Sequence, residues 1–570
     1  MAQKKWVLKS ADEAEISKLQ QALTIHPALC RVLVERGINT FDTARAFFRT
    51  SAKDLHDPFL VKGMDIAVQR IKQGIDQGQK ILIYGDYDVD GTTSVAVVYS
   101  YFKAIYDKIE FYIPNRFSEG YGVSKQGIDY ATENNIGLII TIDCGIKSVE
   151  LIQLAKQKGI DTIVCDHHFP GNELPPAISI LNPKQADCYY PYKELCGCGI
   201  GYKLISAFSM QYQLNVSGVN QYLDLVATAI AADIVPITGE NRTLSILGLE
   251  KANHQPSVPL QALKQISAMD REFTITDLVF IIAPRVNAAG RMDNGRKAVE
   301  LFIEQDEKKA KELALILQED NNDRKDFDRT ITLEALDMIA ENEYHADTRS
   351  TVVYQPHWHK GVVGIVASRL IEHHYKPTIV LTESNGKITG SARSIKGFNL
   401  FEGLNQCAQY LENYGGHYFA AGLTLQEENL TAFTTQFDNV VRSMVAEEYF
   451  IPTIEIDAEL LFKDINDGFL NILNQFAPHG PENMKPIFIT KHVQDYQGLS
   501  SIVKEKHLRL VVYQTGSKTI NGIGFNMSDK INIVRSGKPF DLIYHIEENN
   551  WQGKKSIQLK VIDVRESNTM

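Results

Sequence analysis

Lys80-Ile-Leu-Ile-Tyr-Gly-Asp-Tyr-Asp-Val-Asp-Gly-Thr92 decides how the chain is read. Five residues of buried-strand character stop at Gly85, and aspartates at 86, 88 and 90 follow before a turn at Gly91. Similar apolar runs occupy 109–113, 137–142, 161–165 and 177–181, with helical segments between most of them. Strands alternating with helices predict a parallel α/β sheet. Two of the later runs also end in chemically active groups, Asp143-Cys-Gly145 and Asp166-His-His168. Parallel sheets bind ligands outside the carboxyl ends of their strands, so residues far apart in sequence are expected at one edge.

Carboxylates crowded in this way repel one another unless positive charge lies among them. Asp and His together suit Mn²⁺ or Mg²⁺ and not a thiolate-preferring metal. Five or six such groups suit two cations about 3.5–4 Å apart that share a bridging carboxylate. A lone Asp at a strand end is more often a helix cap. Three aspartates within five residues, and an Asp-His-His at another strand end, weigh against that reading. In extended backbone Asp86, Asp88 and Asp90 would face one side together.

The remaining sequence sets the surroundings. The 570 residues allow three or four domains. Residues 1–75 read as a polar helical extension packed on the lobe after it, and 76–297 as that first α/β lobe. Within that lobe 222–230 reads as a buried helix. Residues 298–345 are charged, nearly free of Gly and Pro, and helical in period, which predicts one long connector helix. A smaller α/β lobe is expected at 346–449, and short alternating strands at 450–570 predict a β-barrel. A net charge of −11 argues against a protein that coats nucleic acid, but it permits a basic channel on an acidic molecule. The seven cysteines are scattered, and Cys196 and Cys198 are too close for the usual zinc spacing. Residues 1–10 lack the apolar run of a signal peptide, and no stretch approaches the roughly 18 apolar residues of a membrane span. A reduced, cytoplasmic protein is expected.

These motifs, with Ala232-Asp-Ile-Val-Pro236, resemble those of the DHH phosphoesterase superfamily and, within it, the RecJ family of single-strand-specific exonucleases. Ile113-Pro-Asn-Arg-Phe-Ser-Glu-Gly-Tyr-Gly122 and Pro284-Arg-Val-Asn-Ala-Ala-Gly-Arg-Met292 are similar to that family's signatures. So are Gly390-Ser-Ala-Arg-Ser394, Gly415-Gly-His417 and the stretch from Trp358 to Arg369, which resemble its second, DHHA1 lobe. The resemblance implies a DHH lobe and a DHHA1 lobe joined by the long helix, with an OB-like barrel behind them. It implies Asp88, Asp90, Asp143, His167 and Asp233 as metal ligands with Asp143 bridging, and Asp86 as a ligand or an acceptor behind one. Asp166 would orient a histidine, and His168 would face the scissile phosphate. Arg285 and Arg291 would join Arg116, Asn287, Ser391, Arg393, Gly416 and His417 in gripping a terminal 5′ phosphate. The implied activity is 5′-to-3′ exonuclease action on single-stranded DNA in repair and recombination. The resemblance also implies two divalent cations, with Mn²⁺ preferred over Mg²⁺, and a monomer working beside a single-strand-binding protein and a helicase.

Plainer readings stand beside some of these. Gly415-Gly416 could be only a tight turn, Arg285 could pair with a structural group, and Arg116 could sit in a surface ion pair. Trp358 reads as packing. Lys504, Lys506, His507, Arg509 and Tyr513 could bind single strands through the barrel, or the barrel could be structural only. The stretch from Ala477 to Pro486 departs from the family pattern at Glu482 and Met484. Two other functions are open: a phosphodiesterase for short oligoribonucleotides or cyclic dinucleotides, and a scaffold that has lost catalysis. The barrel and the motif at 113–122 count against the first, and the filled ligand positions against the second.

Overall fold

The structure, a computed structural model, describes residues 4–214, 216–341, 347–551 and 553–567. Five parallel strands form the sheet of the first lobe, in the spatial order Ile109–Tyr112, Lys80–Tyr84, Ile136–Ile142, Asp161–Cys165, Ser179–Leu181. Both faces are covered, which is why these strands read as continuous apolar runs. Ile81, Ile83, Leu138 and Ile140 share a core with the helices Val89–Lys103, Gly197–Gln211 and Leu223–Ala232. Leu82, Tyr84 and Ile139 face the other way, toward the helices Lys125–Glu133 and Val149–Gln157. Numbered along the chain, the sheet order is 2-1-3-4-5, so it reverses between Lys80–Tyr84 and Ile136–Ile142. That reversal is the switch point at which such sheets take ligands.

Two expectations about the flanks need correction. The helix Met64–Asp76 buries Met64, Ala67, Val68 and Ile71 in the core of the first lobe, short of the boundary expected at 75. The helices before it pack mainly elsewhere than on the lobe next in sequence. Lys5–Leu8 pairs in parallel with Thr453–Ile456, and Ile16, Leu29 and Leu33 share a core with Phe469, Phe488 and Phe540 of the barrel. An amphipathic face states that a helix is covered, not by what.

The connector is two helices, Arg296–Ile303 and Glu307–Glu341. Acidic side chains make the break between them. Glu304 accepts hydrogen bonds from the amides of Gln305 and Asp306, and Asp306 then caps the longer helix by accepting from Lys309. Residues 342–345 of the expected connector lie outside the described residues.

The second lobe is a mixed sheet in the order Asn413–Gly416, Ala420–Leu425, Lys387–Arg393, Thr378–Ser384, Thr351–Tyr354, parallel only in the last pair. In the C-terminal barrel a ring of strands runs Phe488–Asp495, Phe540–Trp551, Lys554–Glu566, Ile520–Gly524, His507–Tyr513 and closes through Gln494 against Tyr513. Among the described residues no helix is long and apolar enough to cross a membrane.

Candidate metal centre

The carboxyl edge of the first sheet gathers the aspartates, but not through a shared extended strand. The helix starts at Val89, so Asp88 is its N-cap and accepts from the Gly91 amide at 2.9 Å. Asp90 lies inside the first turn and Asp86 still in the loop before it. Three different backbone settings therefore aim the three side chains. Asp86 accepts from the Gly122 amide at 3.1 Å. Asp90 accepts from the amides of Gly197 at 2.6 Å and Cys198 at 2.8 Å, at the N-terminus of Gly197–Gln211. An exposed helix N-terminus is an anion site, so this helix keeps a buried carboxylate in place. Cys196 and Cys198 thus belong to a helix start, and both are free buried thiols.

Asp143 follows Ile136–Ile142 with φ +61, a left-handed backbone that side chains other than Gly seldom adopt. His167 Nε2 lies 3.1 Å from Asp143 Oδ1, 3.5 Å from Asp233 Oδ2 and 3.9 Å from Asp90 Oδ2. Asp233 stands at the C-terminal end of Leu223–Ala232. Both ring nitrogens of His167 are buried without a hydrogen-bond partner, as are one oxygen each of Asp86, Asp143 and Asp233. Buried polar atoms are rarely left so, and a cluster of orphaned acceptors of this kind could hold a metal ion. Burial and mutual repulsion raise the pKa of Asp86, Asp143 and Asp233 well above the carboxylate range. Burial pushes His167 down to about 4, which favours the neutral imidazole, the form able to bind a metal. The donor set of carboxylates with one neutral imidazole fits Mn²⁺ or Mg²⁺.

His168 differs from its neighbour. Its Nδ1 donates to Asp166 at 2.7 Å, and Asp166 also accepts from the amides of His168 and Ile146. Burial would raise Asp166, yet these bonds and the His168 charge hold it below the usual range. Burial would lower His168, and Asp166 raises it instead. Asp166 therefore orients His168, whose Nε2 stands 3.4 Å from the Tyr121 hydroxyl.

Beside the aspartates lies a group of arginines. Arg116 stacks on Tyr87 at 5.2 Å, and Tyr87 sits between Asp86 and Asp88. Burial, with Arg116, Arg324 and Arg393 nearby, lowers Arg291 to about 10. Arg393 donates to Ser391 Oγ at 2.8 Å. Neither Arg116, Arg291 nor Arg393 is in an ion pair among the described residues. Close packing brings the lobes together here: a Cβ on Gly361 of the second lobe would lie 2.2 Å from the Arg291 carbonyl of the first.

Three family models match the chain: the DHH family N-terminal domain over 80–230, the DHHA1 domain over 347–443 and the RecJ OB domain over 456–563. The single-stranded-DNA-specific exonuclease RecJ of Bacillus subtilis is 36% identical over 98% of this chain and 70% of its own. That of Haemophilus influenzae is 33% identical over 94% and 96%. The chain belongs to the RecJ family. A RecJ crystal structure with Mn²⁺ from Thermus thermophilus shares the fold, with a TM-score of 0.85 at 23% identity over 99% of this chain and 80% of that one. A second RecJ structure, bound to manganese, has a TM-score of 0.60 at 29% identity over 67% of this chain and 95% of its own.

Within this RecJ architecture, one expected residue falls elsewhere. Arg285 donates to Gln318 on the connector at 2.7 Å and to the Ile281 carbonyl, away from the aspartates. On Ala283–Met292, positions 287 and 291 share a face, and position 285 points to the opposite one. Asn287 is half-buried on the Arg291 face. Gly416 has φ +156 and His417 is exposed beside it, with Arg393 close enough to lower its pKa after burial. Trp358 is packing: it is buried, and its indole donates to Glu334. The reading of the residues did not single out Tyr87, Tyr121, Arg324 or Lys360, which also stand in this cleft. Tyr121 lay inside a quoted motif; Arg324, one charge in a charged helix, carried no signal of its own.

Proposed function

We propose that this chain is an exonuclease that degrades single-stranded DNA from its 5′ end, releasing 5′-mononucleotides with two divalent cations. The observation that carries this is the facing of two unpaired charge sets across one cleft: orphaned carboxylates of the first lobe and arginines of both lobes without acidic partners. Asp86, Asp88, Asp90, Asp143, His167 and Asp233 would hold the cations. When bound, the cations polarise the scissile phosphate and lower the pKa of the attacking water. Arg116, Arg291, Ser391 and Arg393, with Asn287, Gly416 and His417, grip the terminal phosphate and set one nucleotide between grip and cut. His168, whose protonated form Asp166 favours, presents Nε2–H to a phosphate oxygen, and the Tyr121 hydroxyl stands beside its ring. The family resemblance supports a monomer in the cytoplasm, working in repair and recombination beside a single-strand-binding protein and a helicase.

The test offers the protein, with Mn²⁺, end-labelled single strands, the matching duplex and a dinucleotide. Label should leave as mononucleotide first from the 5′ end of the single strand. Release from the 3′ end, or preference for the dinucleotide, would overturn the reading. Asp143→Ala should lose at least about a thousandfold in kcat while strand binding stays measurable.

A further inference from the structure

The sheet order bears on the strand beyond the cut. Arg116 follows Ile109–Tyr112 at one border of the sheet, and Lys184 follows Ser179–Leu181 at the other. The three strands between them end in Asp86, Asp143 and Asp166. Four strand spacings of about 4.8 Å separate the ends of the two border strands by roughly 19 Å, with the aspartates that could hold the metal ions between them. The Lys184 charge reaches both His167 and Asp233: it adds to the fall that burial causes in His167 and partly offsets the rise that burial and neighbouring aspartates cause in Asp233.

A ring covers this second cationic group. Phe169 follows His168, is 70% exposed, and has Lys184 Nζ 4.7 Å from its centroid. The pair is built, not accidental. The buried Asn182 amide donates to the His168 carbonyl at 2.9 Å and accepts from the Lys184 amide at 2.8 Å, which ties the two loops together. Lys184 keeps a second partner, Glu194, at 3.0 Å. Ile234, directly after Asp233, is 69% exposed at φ +60. A β-branched side chain in a left-handed backbone costs energy, and strain of this kind gathers at binding sites. None of these features serves the metal ions or the arginine grip.

We infer that Phe169 and Lys184, with Ile234 as a second apolar surface, form the subsite for the nucleotide immediately 3′ of the scissile phosphate. This rests on the exonuclease reading above. The base stacks on Phe169, and Lys184 faces the next phosphate. An exposed ring over a cation is how single strands are held without regard to sequence. A base inside a duplex has its faces covered by the neighbouring base pairs and cannot stack on Phe169, so the subsite also favours single strands.

The test pairs Phe169→Ala with removal of one base, using a short 5′-phosphorylated oligothymidylate and saturating Mn²⁺. Either change alone should raise KM about tenfold, and both together little more, because each removes the same stack. Phe169→Trp should restore KM, and kcat should hold throughout. Penalties that multiply, or coupling only to the terminal nucleotide, would overturn the subsite. Lys184→Gln should reduce the slope of log KM against log salt by about one, and an unchanged slope removes Lys184 from the subsite. A wild-type enzyme that cuts from the 3′ end overturns both readings; one that cuts from the 5′ end with multiplying penalties overturns the subsite alone.

Discussion

At the residue scale the metal centre depends on one missing side chain. Gly197 presses on Asp143, where a Cβ would lie 2.5 Å from the Asp143 Cβ, and the same residue donates its amide to Asp90. One glycine therefore fixes the spacing of two carboxylates, one from the first turn of a helix and one from a strand end. Gly197→Ala must push Asp143 or withdraw the helix start. Mn²⁺ affinity should fall about tenfold or more, as for other groups that hold metal ligands in place. Titration calorimetry checks this, and unchanged affinity would mean the contact relaxes without cost. Asp143, in a left-handed backbone, has little freedom to do so.

At the scale of elements, Ala283–Met292 separates two kinds of arginine. Arg291 faces the cleft, and Arg285 anchors the helix to the connector through Gln318. Removing them should give different results. Arg291→Ala should raise KM for a 5′-phosphorylated strand at least about tenfold, the loss expected of a charge-assisted phosphate contact. Arg285→Ala should stay within about threefold, because it loses an exchangeable amide contact on the far face. Equal losses would return Arg285 to the cleft. The motif from Pro284 to Met292 was legible as one unit, yet its two arginines differ by a helical angle that residue type does not express.

At the scale of the whole molecule, the N-terminal segment, the first lobe and the barrel meet at Arg242. Its buried guanidinium donates to the carbonyls of Phe47, Gln475, Phe476 and Pro478 and stacks on Phe47 at 4.0 Å. Close by, the amide of Ile237, four residues after Asp233, donates to the Pro481 carbonyl. The barrel is thus fastened to the loop that follows Asp233, one of the acidic groups that could hold a metal ion. Arg242→Met keeps the stem and removes the donors. It should cost about 3 kcal/mol through carbonyls left buried and unpaired. The readouts are a lower melting temperature and faster proteolysis near residue 50; an unchanged cleavage pattern would show that the apolar core alone holds the three units.

The sequence by itself determined the chemistry of the first lobe. Apolar runs ending in Asp or His name the strands, and the rule that parallel sheets bind at their carboxyl ends brings those residues together. It also determined the order of lobes and the barrel, since each has its own hydrophobic period. Only the tertiary structure decided which faces meet. The N-terminal helices belong to a barrel more than four hundred residues away, Asp90 takes its amides from a helix that begins at 197, and Lys184 stands across the metal centre from Arg116. Periodicity records that a surface is buried, and burial is indifferent to which apolar surface does the covering. Partner choice and distance belong to the closed fold.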